Sequence, residues 1–213
     1  MSEYSDYEES IIIMTLGNSE VGKTSFILRF VENTFQPSYL STVGIDYKDK
    51  IINIHDKEYK LIFYDTAGQE KYRSLAPNLI KKAHGIIIIY DITNKASFDS
   101  IPEMMRIVNE EKGNDFPMIL VGNKIDLEQA REIETEKGKL LAEENGIEFF
   151  EVSSKEGINV QEAGLGIVNK ILEKRKNDSI IDTYGSSRTS NLTYKSKYSN
   201  VDNDKTGRHH CCY

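Results

Sequence analysis

The chain has 213 residues, 38% of them hydrophobic and 29% charged, which suits one folded domain of ordinary size followed by a tail. Its formal net charge of −7 argues against a general nucleic-acid binder, because such a protein presents a basic face to phosphates. Both cysteines, Cys211 and Cys212, lie at the C-terminal end, which excludes a disulfide framework, a zinc site or a catalytic thiol in the body.

Short apolar, β-branched runs alternate with segments of helical periodicity along most of the chain. Six runs predict strands, at Ile11–Leu16, Ile51–Ile54, Leu61–Tyr64, Ile86–Tyr90, Met118–Val121 and Glu148–Val152. Four segments predict helices, at Lys23–Glu32, Ser97–Glu111, Thr135–Asn145 and Val160–Lys174. The alternation predicts an α/β fold with a six-stranded, mostly parallel sheet and helices on both faces; a polar turn at His55–Asp56 predicts one antiparallel hairpin.

The composition changes near Asn177. Residues 177–213 are rich in Ser, Thr, Asn, Lys and Asp and show no sustained apolar period, which is typical of a disordered tail. The predicted organisation is a flexible N-terminus over 1–9, a domain over 10–176 and a tail over 177–213. The acidic start of the chain is unlike a signal peptide, and the longest apolar run, Gly85–Tyr90, is far shorter than the ~20 residues of a membrane span.

A glycine-rich motif lies between the first strand and the first helix. Residues 17–24 match the pattern G-x-x-x-x-G-K-[ST] in the strand–helix context of a phosphate-binding loop. Its glycines let successive N–H groups point at phosphate oxygens, Lys23 adds a charge, and the Thr24 hydroxyl can hold Mg²⁺. The predicted phosphate-binding residues here are Ser19, Glu20, Val21, Gly22, Lys23, Thr24 and Ser25. A glycine-rich turn without a ligand is the alternative.

Two more motifs follow strand ends. Asp65-Thr66-Ala67-Gly68-Gln69 ends the third strand, where Asp65 can reach Mg²⁺, Gly68 can offer an N–H to a γ-phosphate, and Gln69 can orient an attacking water. Taken alone, this motif also fits an ordinary turn.

The third motif selects the base. In Asn123-Lys124-Ile125-Asp126, a carboxylate can accept hydrogen bonds from the guanine ring N–H and amino group, an arrangement that adenine does not present. The expected ligand is therefore GTP rather than ATP. Ser153, Ser154 and Lys155, after the last strand, would close over the same base with backbone N–H groups. A polar turn is the alternative for each.

These motifs resemble those of the Ras superfamily of small GTPases and, within it, the Rab family, over roughly Ser10–Lys176 and again at the C-terminus. The Rab-like segments are Ser41–Lys48, Tyr64–Arg73, Tyr90–Thr93 and the terminal cysteine pair. The resemblance implies a monomeric small G domain of the P-loop NTPase fold. It also implies that Thr42 binds Mg²⁺ and the γ-phosphate, and that Phe35 stacks across the guanine.

Glu20 and two aromatic residues depart from the family pattern. Many relatives have a small residue at the position of Glu20, and a carboxylate near phosphates is unfavourable unless it points to solvent. Either Glu20 shortens nucleotide residence or it faces outward. Tyr47 and Tyr64 stand where Phe and Trp are usual, which concerns the choice of partner and not nucleotide binding.

The C-terminus ends in His209-His210-Cys211-Cys212-Tyr213, which lacks a C-a-a-X box. By resemblance to Rab proteins, Cys211 and Cys212 would both carry geranylgeranyl groups, and two lipid chains suffice for stable membrane attachment. A metal-binding end and an inert thiol end are the alternatives.

The resemblance implies a slow GTP hydrolase that acts as a switch in vesicle traffic on the cytoplasmic face of membranes, with a cytosolic, inhibitor-bound pool. The implied partners are an exchange factor, an activating protein, effectors, a prenylation escort and a GDP dissociation inhibitor. Two other classes compete with this expectation. A nucleotide kinase would need an arginine-rich lid, and a scaffold locked on GTP would have no use for Gln69.

Overall fold

A six-stranded sheet forms the centre of the domain. The computed structural model describes residues 9–36, 45–66 and 76–190. The strands are β1 Glu9–Leu16, β2 Ile45–Ile54, β3 Lys57–Thr66, β4 Gly85–Asp91, β5 Met118–Asn123 and β6 Glu148–Val152. Their order across the sheet is β2-β3-β1-β4-β5-β6. Among these described strands, β2 and β3 pair in antiparallel fashion, and the pairs β3–β1, β1–β4, β4–β5 and β5–β6 are parallel. The predicted α/β fold with a six-stranded, mostly parallel sheet is confirmed.

Six α-helices and a short 3-10 helix accompany the sheet within the described residues. The α-helices are α1 Lys23–Glu32, α2 Ala76–Lys82, α3 Lys95–Asp99, α4 Ile101–Lys112, α5 Thr135–Glu144 and α6 Val160–Ser190, and the 3-10 helix is Ile125–Ala130. None of the helices in these described segments is long and apolar enough to cross a lipid bilayer.

The hydrophobic core lies on both faces of the sheet, as the continuous apolar runs predict. Every residue of β4 and of β5 is buried. Because successive side chains of a strand point to opposite faces, Ile87 and Ile89 join the cluster beneath α1 and α6, whereas Ile86 and Ile88 join the cluster beneath α2, α4 and α5. The packing of helices on both faces of the sheet fixes the carboxyl ends of the parallel strands at one edge of the sheet.

The predicted hairpin is present between β2 and β3. The turn residues His55 and Asp56 both have positive φ angles, 49° and 62°. Two consecutive left-handed residues match the right-handed twist of the flanking strands, which explains how so short a turn joins them.

The single helix predicted over Ser97–Glu111 is wrong, because the structure has two helices that meet at Ser100. Pro102 lies in the first turn of α4, where its missing N–H costs nothing, but it could not continue a helix from α3. The Ser100 hydroxyl donates to Asn18 Oδ1 at 2.9 Å, which ties the break to the glycine-rich loop. The N-cap of α3 is Asn94, whose side-chain oxygen accepts from the Ser97 N–H at 3.2 Å.

The chain divides into two compact units, Met1–Lys174 and Arg175–Tyr213. In the second unit, α6 continues to Ser190, so helix covers residues 177–190 of the segment predicted to be a tail. Residues 191–213 lie outside the described part of the chain. The N-terminal residues 1–8 also lie outside it.

Candidate functional site

The glycine-rich loop joins the carboxyl end of β1 to the amino end of α1. Gly22 has a φ of +94°, and a Cβ there would lie 2.3 Å from Asn123 Nδ2. Gly17 is similarly constrained, since a Cβ there would lie 2.3 Å from the carbonyl oxygen of Ile89. The two glycines of the motif are therefore required by close packing as well as by backbone conformation.

Lys23 lies inside this loop. Its ammonium donates hydrogen bonds to the carbonyl oxygens of Gly17 at 3.0 Å and Asn18 at 2.7 Å, and the residue is only 5% exposed. Burial lowers the pKa of Lys23 to about 8, an effect that the charge of Asp65 partly opposes. A desolvated cation beside a helix N-terminus suits an anionic ligand such as a phosphate.

Thr24 and Asp65 place two side-chain oxygens that could bind a metal ion beside Lys23. The Thr24 hydroxyl, in the first turn of α1, donates to Asp65 Oδ2 at 2.6 Å, and Asp65 lies buried near the end of β3. Hydroxyl and carboxylate oxygens are the ligands that Mg²⁺ prefers, and Mg²⁺ sites commonly use one or two carboxylates completed by water and phosphate. These two residues fit the predicted metal site.

Asn123 connects the glycine-rich loop to the loop after β6. Its amide nitrogen donates to the carbonyl oxygen of Val21 at 2.8 Å. Its amide oxygen accepts from the Ser154 N–H at 3.1 Å and from the Ser154 hydroxyl at 3.0 Å. Because Val21, Asn123 and Ser154 are all buried, these bonds hold the two loops in fixed register although Val21 and Ser154 are 133 residues apart in sequence (154 − 21 = 133).

The other two polar residues of the third motif are also held in place. Asp126 Oδ1 accepts from the Ser153 hydroxyl at 2.6 Å, and Lys155 approaches Asp126 Oδ2 at 3.8 Å. Lys124 forms an ion pair with Asp91 at the end of β4, with 2.7 Å between Nζ and Oδ2. The structure therefore brings residues 17–24, 65, 123–126 and 153–155 to one edge of the sheet.

Two arginines that the sequence reasoning missed hold the loops around this site. Arg29 of α1 donates to the carbonyl oxygens of Ser154 at 3.0 Å and Lys155 at 2.6 Å. Arg131, after the 3-10 helix, pairs with Glu151 of β6 at 2.6 Å. The contact of Arg29 with Ser154 spans 125 residues and that of Arg131 with Glu151 spans 20, and no local sequence pattern predicts either of them.

The remaining predicted site residues are partly within the described chain. Val21 is buried, Ser25 and Phe35 are half-buried, and Ser19 and Glu20 are exposed. Five predicted site residues lie outside the described residues: Thr42, Gly68, Gln69, Cys211 and Cys212. The geometry of the site therefore does not test the roles predicted for them. The exposure of Glu20, in a left-handed backbone conformation with φ 67°, favours the outward-facing alternative.

Comparison with known proteins agrees with the motifs. The sequence profile described as the Ras family matches residues 12–173. Ras-related protein Rab-3B of Rattus norvegicus is 43% identical over 190 residues, which cover 88% of this chain and 86% of that protein. Ras-related protein Rab-3A of Homo sapiens is 43% identical over 169 residues, covering 79% and 76%, and human Rab-3D is 43% identical over 162 residues, covering 76% and 74%.

The lowered pKa of Lys23 predicts proton uptake on nucleotide binding. Without nucleotide, Lys23 loses its proton as the pH rises through about 8. A bound diphosphate favours the ammonium and raises this pKa, so binding GDP above about pH 8 should take up a substantial fraction of one proton, and affinity should fall as the pH rises through this range. Calorimetry in two buffers of different ionisation enthalpy measures the uptake. Lys23→Arg, charged at every pH, is the control; equal uptake by both proteins would contradict the assignment.

The exposure of Glu20 predicts little effect on nucleotide release. Because an exposed charge interacts weakly through water, Glu20→Gly should change the GDP dissociation rate by no more than about threefold. The measurement is the loss of a fluorescent GDP analogue during chase with excess GDP. Release that is slowed tenfold or more would instead show that the carboxylate repels the phosphates.

Proposed function

This chain belongs to the Rab family of small GTPases, whose members hydrolyse GTP, and from that premise we propose that it binds GTP and GDP with Mg²⁺ at the site described above. We further propose that it acts as a membrane-anchored switch in vesicle traffic. The observation that carries the proposal is the Asn123 side chain, since its hydrogen bonds join the phosphate loop to the base loop. The glycine-rich loop of residues 17–24 (the phosphate loop), the motif of residues 123–126 and residues 153–155 (the base loop) are thereby joined in one site.

Guanine selection is assigned to Asp126. Its side chain is 8% exposed and its Oδ1 already accepts from the Ser153 hydroxyl, so the carboxylate is oriented before a ligand arrives. A carboxylate has four lone-pair sites, which leaves acceptors for the ring N–H and the amino group of guanine. Lys124, anchored on Asp91, would lie along the nucleotide, and Phe35 would stack on the base.

Hydrolysis is assigned to in-line attack of water on the γ-phosphate. Lys23 and the backbone N–H groups of residues 19–25 would stabilise the charge that develops on the phosphates, and Gln69 would orient the water. Mg²⁺, held by Thr24, Thr42 and Asp65, would supply neutralisation of the β- and γ-phosphate charge. Gly68 would contribute an N–H to the γ-phosphate.

The intrinsic reaction is proposed to be slow. Of the arginines in the described residues, the two that hold the site's loops, Arg29 and Arg131, are engaged by backbone carbonyls and carboxylates. An activating protein that supplies an arginine would accelerate turnover ~10³–10⁵-fold. Such a protein would signal through its conformation and not through its product. Bound GTP would order the segments around Thr42 and Gly68, and hydrolysis would release them.

The proposed partners follow from the family and from one exposed surface. Exchange factors, activating proteins and effectors would bind the nucleotide-dependent segments. Tyr47 on the edge strand β2 is 63% exposed, and a large aromatic on the surface suits an effector contact. Cys211 and Cys212 would carry two geranylgeranyl groups, delivered by a prenylation escort and covered in the cytosol by a GDP dissociation inhibitor.

Replacing the carboxylate of Asp126 tests the proposal that this residue selects guanine. In Asp126→Asn, the amide offers a donor that meets the guanine amino group unfavourably but suits the 2-carbonyl of xanthine. GTP affinity should therefore fall about 10²-fold or more while affinity for xanthosine triphosphate rises. Competition against a fluorescent nucleotide measures both.

The matched control is Asp115→Asn, which changes an exposed carboxylate before the opposite end of β5 and should leave both affinities unchanged. If Asp126→Asn keeps the preference for GTP, the assignment of Asp126 to the base is wrong.

A further inference from the structure

Arg29 links the end of α1 to the loop of residues 153–155. Its Nε donates to the Ser154 carbonyl at 3.0 Å, and one terminal nitrogen donates to the Lys155 carbonyl at 2.6 Å. The other terminal nitrogen donates to the Asn33 carbonyl at 3.0 Å, at the C-terminal cap of α1. One guanidinium thus spans two segments that are more than 120 residues apart in sequence (155 − 33 = 122).

The two segments flank the proposed base site. Ser154 also donates its N–H to Asn123, so its loop is fixed to the third motif as well as to Arg29. Asn33 precedes Phe35, the residue proposed to stack on guanine, by two positions. Arg29 therefore contacts the backbone on both sides of the place where the base would lie.

The direction of the Ser154 carbonyl decides the direction of the next N–H. In a planar trans peptide, the C=O of one residue and the N–H of the following residue point in opposite directions. Holding the Ser154 carbonyl against Arg29 turns the Lys155 N–H away from α1. The same rule applies one residue later, where the Lys155 carbonyl faces Arg29 and the Glu156 N–H donates to the Ser153 hydroxyl at 3.0 Å.

An arginine is suited to holding two backbone carbonyls at once, because its planar guanidinium presents five N–H donors in fixed geometry, whereas lysine offers a single ammonium group. Beyond this loop the backbone turns at Gly157, which has a φ of +78°. Even an added Cβ at Gly157 would make only an ordinary van der Waals contact with Arg29 Cδ, at 3.4 Å, so the link between the two segments is carried by the hydrogen bonds of the guanidinium.

We infer that Arg29 is a positioning residue for the nucleotide base: it aims the Lys155 N–H at the 6-oxygen of guanine. This inference rests on the proposed function, because it requires guanine between Asp126 and the 153–155 loop. Arg29 itself touches no ligand in this scheme and acts only through the backbone that it holds.

Two base analogues separate this role from a merely structural one. In 6-thio-GDP the 6-oxygen is replaced by sulfur, a weak acceptor, while the groups that face Asp126 are kept. Inosine diphosphate keeps the 6-oxygen and lacks the 2-amino group. Dissociation constants of GDP and both analogues are measured for the wild type, Arg29→Lys and Arg29→Gln, with Arg106→Lys on the exposed face of α4 as the control.

The wild type and Arg106→Lys should bind GDP about tenfold more tightly than 6-thio-GDP, and both Arg29 variants should narrow that ratio to about twofold. The ratio between inosine diphosphate and GDP should stay unchanged in every protein, since Asp126 is untouched. Equal weakening of all three nucleotides, with both ratios kept, would show a structural role and overturn the inference. Unchanged binding by both Arg29 variants would also overturn it. A wild type that fails to distinguish GDP from inosine diphosphate would count against the proposed guanine site itself.

Discussion

The buried amide of Asn123 is the interaction on which the rest of the site depends. It satisfies the Val21 carbonyl on one side and the Ser154 N–H on the other, and all three residues are buried. Removing the amide would leave both backbone groups without this partner, at a cost of about 1–3 kcal/mol each. Gly22 is part of the same constraint, because any side chain there would collide with the Asn123 amide. The phosphate loop and the base loop are therefore built as one unit.

The electrostatics of the site follow from where this unit places its charges. Burial removes water from the Lys23 ammonium and so lowers its pKa, and Asp65 is buried beside Thr24. Bringing phosphate oxygens and a divalent cation to these residues would compensate charges that the fold has already removed from water. The proposed preference of this site for a metal-bound polyphosphate would thus arise from desolvation as much as from attraction.

Much of the fold and most of the local site could be predicted from the sequence. The β-branched runs at Ile86–Tyr90 and Met118–Val121 have the length and apolarity of buried parallel strands, and residues 17–24 carry their glycines at positions that the backbone requires. Local patterns carry this information because each motif lies at the end of one strand. The helix α2 was missed because its seven residues, Ala76–Lys82, are too few to show a clear period.

The contacts of Arg29 and Arg131 could not be predicted, for a different physical reason. They join α1 to residues 154–155 and the segment after the 3-10 helix to β6, and only the folded chain brings these pieces together. A surface arginine on a helix looks the same in sequence whether it binds solvent or a distant carbonyl. The contact of Ser100 with Asn18 belongs to the same class, since it crosses 82 residues, whereas the helix break beside it is marked in the sequence by Pro102.

The most direct test of the account is a comparison of GTP with ATP in wild-type protein that has been stripped of nucleotide and supplied with Mg²⁺. If Asn123 holds the phosphate loop and the base loop in one guanine-reading site, GTP should bind at least about 10³-fold more tightly than ATP, because adenine offers Asp126 neither of the donors that it accepts. Equal affinities for the two triphosphates would contradict the account.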